Sequence, residues 1–126
     1  MDKPEFGRII WGNFVDTRGR LAGPHRAIII SSNEDIDADK PIRAVVISSN
    51  LQMAAKEDTV LLPYFSSKHG HVHTRLKTKC AAICNWIPSV AKKDITNYGG
   101  WVRGKYMLQI LKRVNELEIP PEDSPS

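Results

Sequence analysis

The sequence predicts a mainly β fold finished by one C-terminal helix: a small, curved antiparallel sheet or partly open barrel. Three observations carry this. Five short runs rich in β-branched and aromatic residues follow one another before Pro88, separated by segments of Gly, Pro, Asn and Asp. One later stretch changes to the 3.6-residue apolar period of an amphipathic helix. The chain has 126 residues, enough for one domain with a core of its own but with little room for a deep pocket. Function is therefore expected in a surface groove lined by loops and strand ends.

The first strand is expected in GRIIWGNFVD, residues 7–16. TRGRLAGP, residues 17–24, holds two glycines and a proline and reads as a loop that carries Arg18 and Arg20 over a neighbouring groove. RAIIISS, residues 26–32, is almost continuously apolar, the pattern of a strand buried on both faces. NEDIDADKP, residues 33–41, has four acidic residues and reads as a turn or exposed loop. IRAVVISSN, residues 42–50, is the next strand and ends like its predecessor in ISS. DTVLLPY, residues 58–64, is the fourth.

FSSKHGHVHTRLKTK, residues 65–79, is polar, basic and histidine-rich, and reads as a long loop or irregular hairpin. CAAICNWI, residues 80–87, is the fifth strand, which Pro88 prevents from continuing. SVAKKDITNY, residues 89–98, reads as a short helical turn closed by Gly99 and Gly100. Residues 104–117 form the amphipathic helix, with Met107, Leu108, Leu111 and Val114, joined by Ile110 and Leu117, docked on the sheet. A single domain over 1–118 is expected, with the proline-rich 119–126 as a disordered tail.

No apolar stretch approaches the roughly 20 residues that span a bilayer. The polar N-terminal MDKPEFGR does not read as a signal peptide, so a cytoplasmic location is expected. A net charge of +4 suits a polyanion or an acidic protein partner, and equally a plain basic surface. Cys80 and Cys84, four apart on an expected strand, lie about 13 Å from one another. That is too far for a disulfide, and they read as buried thiols. His69, His71 and His73 alternate, so a strand would place them on one face, as a zinc-dependent hydrolase requires. The surrounding Lys68, Arg75, Lys77 and Lys79 would repel a cation and fit an RNA-contacting loop better, so no metal ligand is assigned. Trp86 and Trp101 read either as packing or as platforms for unpaired bases.

Arg26 stands directly against Ala27, Ile28, Ile29 and Ile30, a permanent charge at the mouth of a buried strand. Taken alone it reads as a surface arginine paired with the acidic loop 34–39. The order of FGRIIWGNF, GPHRAIIISSN, VVISSN and CAAICNWIPSVAKKDI before a terminal helix resembles the MazF/PemK (Kid) toxins of bacterial toxin–antitoxin systems. The resemblance covers roughly residues 7–118. It implies an SH3-like barrel of antiparallel strands with a C-terminal helix, a fold shared with the gyrase-targeting CcdB toxins.

The resemblance further implies a hydrolase of the mRNA interferase type. This is an endoribonuclease that cuts single-stranded mRNA sequence-specifically by attack of the ribose 2′-hydroxyl, with no cofactor or metal. A homodimer and a cognate antitoxin with an acidic segment come with it. Arg26 matches the family's catalytic arginine and Ser48 its catalytic hydroxyl, while His25 stands ready beside them as a proton carrier. Arg18, Arg20, Ser49, Asn50, Lys77, Lys79 and Asn85 are the expected RNA-binding residues.

The chain departs from the family pattern in three places. Ala27 replaces a proline, and Ile83 and Asn85 stand where some members have an arginine and a carboxylate. An amide cannot accept the 2′-hydroxyl proton, so a non-catalytic relative that binds nucleic acid or protein remains open. So does a CcdB-like toxin.

Overall fold

The computed structural model describes residues 2–15, 20–52, 54–64 and 73–118, with the backbone alone at 21 and 22. Arg18, Lys68, His69, His71 and the tail 119–126 lie outside the described residues. Strands β1 (Arg8–Val15), β2 (Leu21–Ile29) and β3 (Ile42–Ser48) form the centre of the sheet, with the short helix α1 (Asn33–Asp37) between β2 and β3. Then come β4 (Thr59–Leu61), β5 (Ala81–Ile83), β6 (Ser89–Val90), β7 (Ile95–Trp101) and helix α2 (Gly104–Glu118). The strand order is β4-β5-β3-β2-β1-β7, every pairing is antiparallel, and β6 pairs with the first residues of β3. No described helix is long and apolar enough to cross a membrane.

The sheet is apolar on both faces at its centre, as the runs of β2 and β3 require. On one face Ile9, Ile28, Val45, Ile47 and Ala82 pack with Met107, Ile110 and Val114 of α2. On the other, Ile10, Ala27, Ile29, Ala44, Val46 and Ile83 pack with Ile36 of α1 and with Trp86. Each fully enclosed isoleucine contributes about 1.5–3 kcal/mol relative to exposure. β1 changes character half-way: Arg8, Ile9 and Ile10 are all buried, and the strand then alternates, with Trp11, Asn13 and Val15 outward and Gly12 and Phe14 inward.

Five expectations change. Residues 21–24 belong to β2 and not to a loop. Pro24 pairs with Asn13 of β1 but has no neighbour on its other side, since β3 pairs with β2 only from Arg26 onward, an open edge where a residue without an N–H is tolerated. Gly23 supplies a φ of +84° where the register against β1 shifts between Asn13 and Val15. Residues 33–37 form helix α1, capped by Ser32, whose Oγ accepts the Asp35 N–H at 3.1 Å.

Residues 95–101 are a strand, preceded by a 3₁₀ turn at Lys92–Asp94. Of the two glycines expected to close a helical turn, Gly100 serves a close crossing, where a Cβ would stand 2.0 Å from the His73 carbonyl oxygen, and Gly99 lies against the Ile9 side chain. The fourth change concerns α2, where the buried stripe is Met107, Ile110 and Val114, while Leu108 is 69% and Leu117 39% exposed. The fifth strand is also shorter than expected, since the chain turns at Cys84 and Asn85. Arg113 of α2 reaches back to Asp58 ahead of β4, Nε to Oδ1 2.9 Å, and fixes the helix against that end of the sheet.

Candidate functional site

Arg26 lies in β2 between two unlike neighbours, Trp11 on β1 and Ile47 on β3. On the far side of Trp11 the register continues to Asn97 of β7. The row Asn97, Trp11, Arg26, Ile47 therefore runs from open to closed. Asn97 is exposed, Trp11 is 37% exposed, Arg26 is half-buried and Ile47 is only 1% exposed. The guanidinium marks the boundary where the α2-side core ends and an open sheet face begins.

Two contacts hold it. Its Nη2–H donates to the Cys80 Sγ at 3.3 Å, and its Cζ stands 5.4 Å from the centre of the Trp11 ring. Thr78 Oγ1 is 3.6 Å from the same sulfur. A thiol is a weak acceptor, and a guanidinium has five N–H donors. Among the described residues Arg26 makes no ion pair. Two of the four carboxylates in the acidic loop that could have neutralised it are engaged elsewhere. Asp35 pairs with Lys40 at 3.3 Å and Asp39 with Lys92 at 2.9 Å, and the Lys92 ammonium holds the Asp39 carboxyl below its ordinary range. Other arginines have carboxylate partners: Arg8 has Asp2, Arg43 has Glu118, Arg113 has Asp58. A half-buried charge without a counter-charge is costly, and an incoming anion relieves that cost.

The other expected site residues fall in three places. Lys77 and Lys79 are exposed in the segment leading to Cys80, three residues and one residue before the sulfur that the guanidinium contacts. Arg20 is exposed immediately before β2. Ser49 and Asn50 are exposed beyond the end of β3. Asn85 lies at the opposite end of β5 from Cys80, and so apart from this group.

Ser48 and His25 are not brought to the face that Arg26 occupies. Consecutive strand residues point to opposite faces. His25 turns to the face of Ala27 and stacks edge-on against Trp86, ring centres 5.1 Å apart. Ser48 follows the parity of Ala44 and Val46, is 7% exposed, and accepts the Asn50 N–H on its Oγ at 3.0 Å. It terminates β3 and shapes the turn that presents Ser49 and Asn50.

Trp86 is packing, 7% exposed with Nε1 donating to the Val15 carbonyl at 2.7 Å. Trp101 is bracketed by Arg8 and Arg103, each 5.0 Å from its ring centre. Both cysteines are buried free thiols. His73 is exposed and contributes its carbonyl to the Trp101 N–H. Among the described residues no group of His, Cys, Asp or Glu could hold a metal ion.

Sequence reading missed Trp11, Thr78 and the anchoring part of Cys80. The signal for Trp11 was present: in WGNFV the polar Asn13 shares its parity and the apolar Phe14 does not, which places the indole outward. The Cys80 contact spans 54 residues and has no local signal.

Comparison with solved structures finds a likeness to an endoribonuclease in complex with its cognate antitoxin from mycobacterial species, TM-score 0.69. The two share a fold. The match covers 94% of this chain and 98% of that one, at 16% sequence identity. It is the β-rich, helix-closed fold implied by the resemblance to MazF/PemK proteins. No protein family and no curated protein matches the chain by sequence.

Proposed function

We propose that the protein is the endoribonuclease toxin of a toxin–antitoxin pair, cutting single-stranded RNA at the face held by Arg26. The observation that carries this is a fixed, half-buried guanidinium with no carboxylate partner among the described residues, held by a cysteine whose preceding segment carries exposed Lys77 and Lys79. In the reaction the 2′-oxygen bonds to the adjacent phosphorus and the bond from phosphorus to the 5′-oxygen breaks. The products end in a 2′,3′-cyclic phosphate and a 5′-hydroxyl.

Charge gathers on the non-bridging oxygens in the transition state. Arg26 meets it with planar paired donors that need no reorganisation, since a β-strand fixes their base. The nucleophile belongs to the substrate, so proximity is supplied by RNA itself and the step calls for no metal. Among the described residues His25 is turned away and Asn85 is an amide at the far end of β5, so the 2′-hydroxyl proton passes to water on the open face or to a histidine of the segment 69–73, and water returns a proton to the departing 5′-oxygen.

Ser48 contributes by holding the Ser49–Asn50 turn against the strand, and Arg18, Arg20, Lys77 and Lys79 bind the phosphate chain. In the same reading the protein is a cytoplasmic homodimer, and the acidic segment of an antitoxin silences it by occupying the same basic surface.

The test is a long single-stranded RNA incubated with the protein in excess EDTA. Fragments with 5′-hydroxyl ends, abolished by Arg26→Ala and not restored by Arg26→Lys, are expected. Binding without cleavage would make the chain a non-catalytic relative. Inhibition of gyrase without RNA cleavage would place it with the CcdB-like toxins.

A further inference from the structure

We infer that Trp11 is the base-stacking residue of this site, holding the nucleobase beside the phosphate that Arg26 contacts. The inference rests on the RNA-cleaving reading above. Of the three tryptophans in the chain, Trp86 is enclosed and bonded through its N–H, and the ring of Trp101 is already contacted by two guanidinia, of Arg8 and Arg103. Trp11 differs from both. It is 37% exposed, it sits on the open half of β1 in register with Arg26, and it makes one cation–π contact, to the guanidinium itself.

An exposed indole on a sheet face is a binding platform with little freedom to lose, because a strand in the middle of a sheet holds its backbone. Every base has a flat face, so such a platform serves any single strand. The neighbouring guanidinium is the phosphate clamp. Paired residues on adjacent strands are spaced about 4.5–5.5 Å at Cβ, comparable with the step from a base to the phosphate of its own nucleotide. Asn97, exposed on the other side of Trp11 with its Oδ1 accepting the Tyr98 N–H at 2.9 Å, is placed to meet the edge of that base as a donor through its amide nitrogen, and edge contacts are how unpaired bases are distinguished. The site thus has a direction across the strands: phosphate at β2, base over β1, base edge at β7.

The test uses a single-stranded oligonucleotide spanning the mapped cut, with a 2′-deoxy nucleotide at the cleaved position so that binding is read without turnover. Trp11→Leu should weaken binding about tenfold or more, and Trp11→Phe should retain most of it. An abasic residue scanned along the oligonucleotide should cost the wild-type protein the same factor at one position. At that position it should cost Trp11→Leu nothing further.

If the two losses add, Trp11 only positions Arg26 and the inference fails. It fails equally if Trp11→Leu binds RNA as the wild type does, including the case in which that variant loses an antitoxin peptide instead. Should Trp11→Leu not fold, quenching of indole emission by the bound oligonucleotide decides. It must be present in the wild type and absent in Trp11→Phe. A wild-type protein that neither binds nor cuts RNA would refute the functional reading itself, a result distinct from each of these.

Discussion

Replacing Arg26 by methionine removes a charge while keeping an unbranched side chain of similar length between Trp11 and Ile47. What is lost is one bond to a thiol and one exposed-edge cation–π contact, together about 1–2 kcal/mol. What is regained is the desolvation of a half-buried guanidinium with no described counter-charge. For full burial that penalty is several kcal/mol, so half of it is about 2–3 kcal/mol. The balance favours the variant by about 1 kcal/mol, which for a domain of this size raises Tm by about 4 °C. Thermal unfolding of both proteins followed by circular dichroism at one fixed concentration measures it. The expected pair of results is a more stable protein with no RNA cleavage, the mark of a residue retained for its ligand at a cost to the fold. A variant less stable than wild type by 1 kcal/mol or more would mean that Arg26 is there to hold the sheet together, and the reasoning from its missing partner would be wrong.

The core assignment predicts that Ile110→Ala costs about 2–5 kcal/mol in denaturant unfolding while Leu108→Ala stays within about 0.5 kcal/mol; equal costs would contradict the observed stripe. Gly100→Ala should prevent cooperative folding or detach the segment at His73–Thr74, seen as lost protection of the Trp101 amide in hydrogen exchange, because the new Cβ would meet backbone at 2.0 Å. Burial and the nearby Asp58 carboxylate, opposed by Arg113, push the Cys84 thiol from 9.0 up to about 11. The unfolded thiol ionises first, so this contribution is complete below pH 9 and is lost as pH rises through 11. Cys84→Ala should flatten the decline in stability across that window, and an unchanged decline would refute the assignment.

The central strands were legible because β2 and β3 are apolar without interruption, which a strand buried on both faces imposes on its sequence. The terminal helix was legible from its period, although Leu108 was assigned to the wrong side; a stripe of Met107, Ile110 and Val114 and one containing Leu108 are similar patterns until a partner surface chooses. Strand β7 was hidden because Gly100 answers a crossing chain at His73 and Gly99 the Ile9 side chain, tertiary causes without local trace. At the site, the place of Arg26 against an apolar run singles it out, but its expected role comes from the resemblance alone. His25 is grouped with it by nearness in sequence and Ser48 by the resemblance, whereas the pleat sends His25 and Ser48 to the face opposite Arg26 and Ile47. Trp11 could have been found by applying the same pleat to β1.

The change of character within β1 has a consequence for how this protein can vary. Its first three residues are clamped on both sides, so replacement there is felt by the whole molecule. Positions 11, 13 and 15 carry side chains on the open face, anchored by the same backbone but owing little to the interior. Ligand preference can therefore drift at those three positions while the architecture stands still, and one continuous strand serves at once as foundation and as interchangeable contact surface.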